Sequence, residues 1–131
     1  MAEGLYLEVV TGKGSVVGVE VEEVRLPGEL GELGVLPGHT PLLTALGIGR
    51  LLYTIGGQER QMVITQGFAE VLPDRVTVLA RAVRLPNEVD PEVEQRIFEE
   101  ATTALKTANA DDFAEITRRL RTAEACLEIS A

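Results

Sequence analysis

The hydrophobic pattern of this chain changes its period once, at Leu85-Pro86, and that change limits the available folds more than any other feature. Before this point apolar and polar residues alternate in short runs, which is the two-residue period of a β-strand. After it, apolar residues recur every three or four positions, which is the period of an amphipathic α-helix. The sequence therefore predicts an α+β chain with a β-rich domain at residues 1–85 and a helical domain at residues 86–131.

The β-rich domain consists of short strand-like runs separated by glycine and proline. Leu5, Leu7 and Val9 give the first run one apolar face. The later runs occupy residues 17–24, 61–65, 68–72 and 76–80. The turn signals before and between the last three are Gly56-Gly57, Gly67 and Pro73-Asp74. Many short strands with such turns predict an antiparallel β-sandwich or barrel.

The helical domain divides into two segments with recognisable starting points. Asp90-Pro91 predicts the start of the first helix, because aspartate caps a helix N-terminus and proline fits its first position. Glu92 and Glu94 in the first turn suit the positive end of the helix dipole. Asp111 or Asp112 can cap the second helix in the same way.

Each predicted helix has one apolar face. The first face comprises Val93, Ile97, Ala101, Ala104 and Ala108, and the second comprises Phe113, Ile116, Leu120, Ala123 and Leu127. Two helices joined by a short loop predict an antiparallel hairpin. Because the first face is mostly alanine, it buries little area, and the hairpin must lean on the sandwich or on a partner.

The composition excludes several classes of function. With 12 Lys+Arg against 21 Asp+Glu the net charge is −9, which argues against nucleic acid or an anionic membrane as the main partner. A single histidine and a single cysteine exclude an intrachain disulfide and a Cys/His zinc site. His39 has no evident nucleophile or orienting acid, so we expect no catalytic residue, no metal and no other cofactor. We expect Cys126 to be a half-buried helix thiol.

Arg118, Arg119 and Arg121 form a basic patch in an otherwise acidic helical domain. One interpretation is ion pairing along the helix, with Glu115 and Glu124 as partners. The other is a docking patch for an acidic protein surface. Composition alone favours the first and leaves both open.

Three blocks of the β-rich half, followed by the alanine-rich helices, resemble a known family. The blocks read ELGVLPGHTPLLTALGIG at residues 32–49, GFAEV at 67–71 and VTVLA at 76–80. In order and length the pattern resembles the epsilon subunits of F-type proton-translocating ATP synthases. The resemblance implies a β-sandwich of about ten strands followed by a two-helix hairpin. It also implies a non-catalytic central-stalk (rotor) subunit, which couples the gamma subunit to the c-ring and inhibits ATP hydrolysis through its helices.

The resemblance further implies contact residues. Those matching positions near the gamma subunit and the c-ring are Thr11, Glu32, His39 and Thr44. The basic patch, Arg118, Arg119 and Arg121, matches a stretch that meets an acidic segment of the catalytic beta subunit in inhibited forms. In that context the docking interpretation of the arginines is favoured.

The resemblance also implies a set of partners and a location. The partners would be the gamma subunit, the c-ring and, through the helices, the beta and alpha subunits, with no nucleic acid. The membrane would be reached only indirectly, through the complex. The location would be peripheral, at the cytoplasmic face of the bacterial inner membrane.

The alternative function is a nucleotide-sensing regulatory module that binds ATP in the folded hairpin. Some family members do so through an Ile/Leu-Asp-x-x-Arg-Ala stretch. Ala114 and Thr117, at the start of the second helix, stand where the aspartate and arginine of such a stretch would be expected. We therefore expect no nucleotide-binding residues and weak or no ATP binding.

Overall fold

The alternating half of the chain forms seven β-strands that hydrogen-bond into one sheet, as seen in a computed structural model that describes residues 4–130. The strands are β1 (Leu5–Thr11), β2 (Gly14–Val21), β3 (Glu23–Gly28), β4 (Gly31–Val35), β5 (Leu42–Ile55), β6 (Gln58–Leu72) and β7 (Arg75–Arg84). Their order across the sheet is β2-β1-β7-β6-β5-β3-β4. β1 and β7 run parallel, whereas the other neighbours are antiparallel. The prediction of a purely antiparallel sheet is therefore wrong at this pair, because β7 reaches β1 by a long path and not through a hairpin.

The three longest strands, β5, β6 and β7, bend so that the sheet folds over itself into two layers. In β6, Met62 and Ile64 face the core before the bend, whereas Ala69 and Val71 face it afterwards. A flat strand would keep residues of one parity on one face, so this change of parity records the bend. The prediction of about ten strands is wrong: seven strands suffice, because the three long ones each supply a segment to both layers.

Gly67 marks the bend in β6 and does not form a turn between two strands. Gln66 and Gly67 have φ values of 54° and 152°, which side-chain-bearing residues rarely adopt. A Cβ atom on Gly67 would collide with the carbonyl oxygen of Leu79 on β7. The prediction of a hairpin turn here is wrong, because β6 stays paired with both of its neighbours on each side of the bend.

The space between the two layers is filled by aliphatic side chains from all seven strands. Leu5, Leu7 and Val9 are completely buried in it, which confirms the apolar face predicted for the first run. None of the buried members of this core lies beyond Ala80 in the described part of the chain. The core therefore closes without the helices, which pack outside it.

Two helices follow the sheet. A short 3₁₀ helix (Pro86–Glu88) leads into α1 (Pro91–Leu105) and α2 (Ala110–Ser130), which contact each other. As predicted, Pro91 occupies the first turn of α1, and the carboxylate of Asp90 accepts a hydrogen bond from the backbone N–H of Glu92 at 3.1 Å. The local signals at this helix start therefore worked as expected.

The start of α2 differs from the prediction. The helix begins at Ala110, and the side-chain oxygen of Asn109 accepts a hydrogen bond from the backbone N–H of Asp112 at 2.9 Å. Asn109 is therefore the cap, and the proposed capping by Asp111 or Asp112 is wrong. Both aspartates lie in the first turn, where their charge suits the helix dipole.

The apolar face predicted for α2 is also only partly correct. Ala123 is buried as expected, but Phe113 is 55% exposed. The other buried residues of α2 are Ala125, Cys126 and Ile129, outside the predicted set. α2 packs on both α1 and the sheet, so a single heptad pattern cannot describe its buried surface.

Candidate functional site

One row of side chains across the outer face of the sheet meets the helices. Arg50 of β5, Val63 of β6 and Arg84 of β7 are direct cross-strand partners, so their side chains stand next to one another. Val63 is completely buried although it faces away from the sandwich core, because α2 covers it. These three residues are referred to below as the docking row.

α2 covers the centre of the docking row with a small apolar cluster. Ala125, Cys126 and Ile129 pack with Val63, and Val89 from the segment before α1 joins them. This cluster is separate from the sandwich core. Burial stabilises by about 25 cal/mol per Å² of apolar area, so a few small side chains attach the helices far less firmly than the core holds the sheet.

An ion pair lies at each end of the docking row. Arg84 Nη2 lies 3.0 Å from Glu94 Oε2 of α1, and Glu94 is only 3% exposed. Arg50 Nε lies 3.4 Å from Glu128 Oε1 of α2, with the two side chains 39% and 55% exposed. Breaking a buried pair strands an uncompensated charge, whereas an exposed pair contributes at most about 1 kcal/mol. The Arg84–Glu94 pair is therefore the stronger constraint on the docked helices.

Cys126 is completely buried at this contact, so the prediction of a half-buried thiol is wrong. Its side chain faces the sheet and not solvent, because α2 uses this side for docking. Burial raises the pKa of the Cys126 thiol; nearby Arg84 acts in the opposite direction, and Glu94 adds to the increase. Since the thiolate is the reactive form, this environment favours a packing role over a nucleophilic one.

A cavity of about 390 Å³ lies between the helices and the outer face of the sheet. Its border includes four arginines, Arg81 and Arg84 of β7 and Arg118 and Arg119 of α2. It also carries two carboxylates, those of Glu94 and Glu115. Positive charge from the sheet thus faces positive charge from α2 across one small space.

The three arginines singled out from the sequence do not act as one group. Arg118 Nη2 lies 2.7 Å from Glu115 Oε1 one turn earlier, which confirms one of the predicted helical ion pairs. Arg119 borders the same cavity, whereas Arg121 is exposed away from it. Among residues 4–130 no carboxylate lies within ion-pair distance of Arg119 or Arg121, so the suggested pairing of Arg121 with Glu124 is not formed.

The four residues matched to stalk contacts are spread over the sandwich. Thr11 lies at the end of β1, Glu32 on the edge strand β4, Thr44 near the start of β5, and His39 in the loop between β4 and β5. Glu32 is exposed and the other three are partly exposed. The loop that carries His39 contacts the turn between β6 and β7, and this turn is hydrogen-bonded to Tyr6 near the start of β1. Thr11 lies at the other end of β1 and is therefore far from His39.

The loop that carries His39 is held by backbone hydrogen bonds. The N–H of His39 donates to the carbonyl of Leu36 at 3.1 Å, and the N–H of Gly38 donates to the carbonyl of Pro73 at 2.7 Å. The ring Nδ1 lies 2.6 Å from the carbonyl oxygen of Thr40. Among residues 4–130 the ring has no hydrogen bond to a side chain, and the two backbone bonds hold the loop in place.

Within residues 4–130 no three His, Cys, Asp or Glu side chains cluster closely enough to hold a metal ion. None of the described helices is long and apolar enough to span a membrane.

Comparison with known proteins gives the family. Residues 4–86 match the profile of the "ATP synthase, Delta/Epsilon chain, beta-sandwich domain". An ATP synthase epsilon chain from Geotalea uraniireducens is 40% identical over 131 residues, which is 100% of this chain and 91% of the relative. This chain belongs to the ATP synthase epsilon family. An epsilon chain from Koribacter versatilis is 41% identical over 111 residues, which cover 85% of this chain and 78% of the relative. The resemblance noted in the sequence is thereby confirmed.

Solved structures share the epsilon fold. A chain of the Euglena gracilis mitochondrial ATP synthase (OSCP/F1/c-ring, rotational state 1) aligns with a TM-score of 0.87 at 24% identity, over 98% of this chain and 81% of that one. A chain of the Tetrahymena thermophila mitochondrial ATP synthase central stalk and c-ring aligns with a TM-score of 0.67 at 12% identity, over 97% and 96%. At these identities the likeness establishes the fold, a β-sandwich with two C-terminal helices.

Sequence reasoning missed the docking row and its buried partner Glu94. Glu94 was expected to serve only the helix dipole, and no periodic signal indicates that its carboxylate turns inward. Its partner Arg84 lies ten positions earlier on a different element. Only the packing of the helices on the sheet brings the two charges together.

Proposed function

We propose that this epsilon-family subunit links the gamma subunit to the c-ring in the central stalk and inhibits ATP hydrolysis through its C-terminal helices. The observation that carries the proposal is the separate attachment of the helices. They rest on the sheet through one small apolar cluster and two ion pairs, outside a core that is complete without them. In this proposal residues 1–85 are the fixed domain and residues 86–131 an antiparallel hairpin that can detach.

The sandwich supplies the stalk contacts in this proposal. Thr11, Glu32, His39 and Thr44 would lie near the gamma subunit and the c-ring. The fixed loop around His39 supports a contact role, because its backbone hydrogen bonds hold the partly exposed ring in place. The similar solved chains come from ATP synthase assemblies with a c-ring and, in one case, a central stalk, which supports these partners. The location would be peripheral, at the cytoplasmic face of the bacterial inner membrane, and the membrane would be reached only through the complex.

The helices supply the inhibitory contact. We infer that Arg118, Arg119 and Arg121 meet an acidic surface of the beta subunit, with alpha alongside. Arg118 and Arg119 border the cavity against the sheet in the docked hairpin. In this proposal the helices leave the sheet and carry these arginines to the beta subunit.

Replacing Arg118, Arg119 and Arg121 together with alanine tests this contact. ATP hydrolysis by the reconstituted complex should rise about fivefold or more relative to the unmodified subunit, equivalent to losing roughly 1 kcal/mol of inhibitory contact. The control is Arg60→Ala with Lys106→Ala, which removes exposed positive charge elsewhere and should leave the rate unchanged. Equal rates for the triple variant and the unmodified subunit would return the arginines to a purely helical role.

The alternative, ATP sensing in the folded hairpin, has one observation in its favour, the arginine-bordered cavity. However, two of its four guanidinium groups are already paired, Arg84 with Glu94 and Arg118 with Glu115. We therefore expect weak or no ATP binding. Calorimetric titration of the full chain with ATP separates the functions: a sub-millimolar dissociation constant would support the sensor.

A further inference from the structure

We propose that Glu94, on α1, is the positioning residue that holds the hairpin, with the arginines of α2, against an arginine-bearing sheet, so that its charge sets whether the hairpin is docked. Arg81 and Arg84 of the sheet and Arg118 and Arg119 of α2 border one cavity. Like charges that border one space repel one another over distances up to about the Debye length, which is about 10 Å at 0.1 M salt. The inference rests on the proposed detachment of the hairpin and adds what controls it.

The two carboxylates at the cavity act differently. Glu115 lies on α2 and pairs with Arg118 of the same helix, so this pair travels with the hairpin whether it is docked or not. Glu94 lies on α1 and pairs with Arg84 of the sheet, so its interaction exists only in the docked state. Of the two, only the carboxylate of Glu94 therefore converts the sheet–helix contact from repulsive to attractive.

The burial of Glu94 strengthens this role. Its side chain is 4% exposed, whereas that of Glu115 is 65% exposed. Attraction between charges grows as water is excluded, so a carboxylate this buried depends strongly on its partner, although the Arg84 side chain itself is 34% exposed. Arg119, which has no carboxylate within ion-pair distance among residues 4–130, makes the surplus of positive charge at the cavity larger.

The single cysteine gives a direct readout of docking. Cys126 is completely buried while the hairpin is docked, and the chain has no other thiol. Its rate of reaction with 5,5′-dithiobis(2-nitrobenzoate) in the isolated full chain therefore reports how often the hairpin leaves the sheet. Circular dichroism on the same samples checks that the sandwich remains folded.

Glu94→Gln should raise the rate of Cys126 labelling at least about tenfold, because it removes the charge attraction between α1 and the sheet and leaves the repulsion between the arginines unopposed. The matched control is Glu128→Gln, which breaks the other helix-to-sheet ion pair but an exposed one, and should change the rate by less than about threefold. A Glu94→Gln rate within that same range would overturn the proposal.

Salt and a second substitution test the repulsion itself. In Glu94→Gln, raising sodium chloride should slow labelling, because screening weakens the repulsion between the facing arginines. Adding Arg119→Gln to Glu94→Gln should also restore protection, because one repelling charge is removed. Labelling that speeds up with salt, or that is not slowed by the second substitution, would show that Glu94 acts only through its single bond to Arg84 and would overturn the proposal. Because labelling uses the isolated chain, failure of the proposed inhibition in the complex would leave this result intact.

Discussion

At the scale of single residues, Cys126 couples the chemistry of one side chain to the docking of the helices. Burial in the docked state raises the pKa of its thiol above the ordinary value of 9.0, with Arg84 opposing the increase and Glu94 adding to it. Burial thus favours the neutral thiol, and undocking or unfolding returns the group to its ordinary pKa. The stability that the docked state gains from holding this thiol neutral is fully present below pH 9. It is lost as the pH rises through the raised pKa of the docked thiol.

The raised pKa of Cys126 predicts that the docked state loses stability at alkaline pH. Between pH 8 and pH 10 the unmodified chain should lose more stability than Cys126→Ala, by at most about 1.4 kcal/mol per pH unit. Thermal unfolding followed by circular dichroism measures the difference, and the variant cancels the titration of other groups. Parallel loss of stability in both proteins would contradict a buried, neutral thiol.

Residues whose role depends on near neighbours in sequence could be predicted, and residues whose role depends on distant elements could not. Asp90 could be assigned as a helix cap because its partner, the N–H of Glu92, is two positions away. Glu94 resembles it in sequence but pairs with Arg84 on the sheet. The matched contact residues, such as His39, depend on partners outside the chain and stay predictions.

At the scale of elements, the long bent strands explain why strands were overcounted. Alternation before and after Gly67 is regular, and a glycine between two alternating runs usually indicates a turn. Here the φ of 152° at Gly67 lets β6 bend without losing its pairing to β5 and β7. Whether a glycine forms a turn between two strands or a bend within one strand depends on the cross-strand partners. A short window of sequence does not reveal these partners.

The bend predicts an unequal response of two glycines to the same substitution. Gly67→Ala should destabilise the protein by about 3 kcal/mol or more, because alanine disfavours this backbone and its Cβ would collide with the carbonyl of Leu79. Gly34→Ala on the edge strand β4 meets no atom within 4 Å and should change stability by less than about 1 kcal/mol. Urea unfolding of the two variants compares them, and equal effects would contradict the assigned bend.

At the scale of the whole molecule, two structural units are held together unequally. The sandwich encloses a core drawn from all seven strands, whereas the helices rest on Val63 through a few small side chains and two ion pairs. The change from strand to helix, between the end of β7 at Arg84 and the start of α1 at Pro91, could be anticipated from the change of hydrophobic period. The weakness of the attachment could be anticipated only from the alanine content of the first helix, and its electrostatic control by Glu94 could not be anticipated at all.

The central proposal is that the helices detach from the sandwich and inhibit ATP hydrolysis, while the sandwich stays bound in the central stalk. Removing residues 86–131 should leave a sandwich that still binds the gamma subunit, because its core lies within the strands. Binding of this shortened chain to gamma is therefore the control for any loss of inhibition.

The most direct measurement compares the ATP hydrolysis rate of the complex reconstituted with the full chain or with residues 1–85. The account predicts a rate about fivefold higher or more with the shortened chain, corresponding to at least ~1 kcal/mol of inhibitory contact. Equal rates, with gamma binding intact in both complexes, would contradict it.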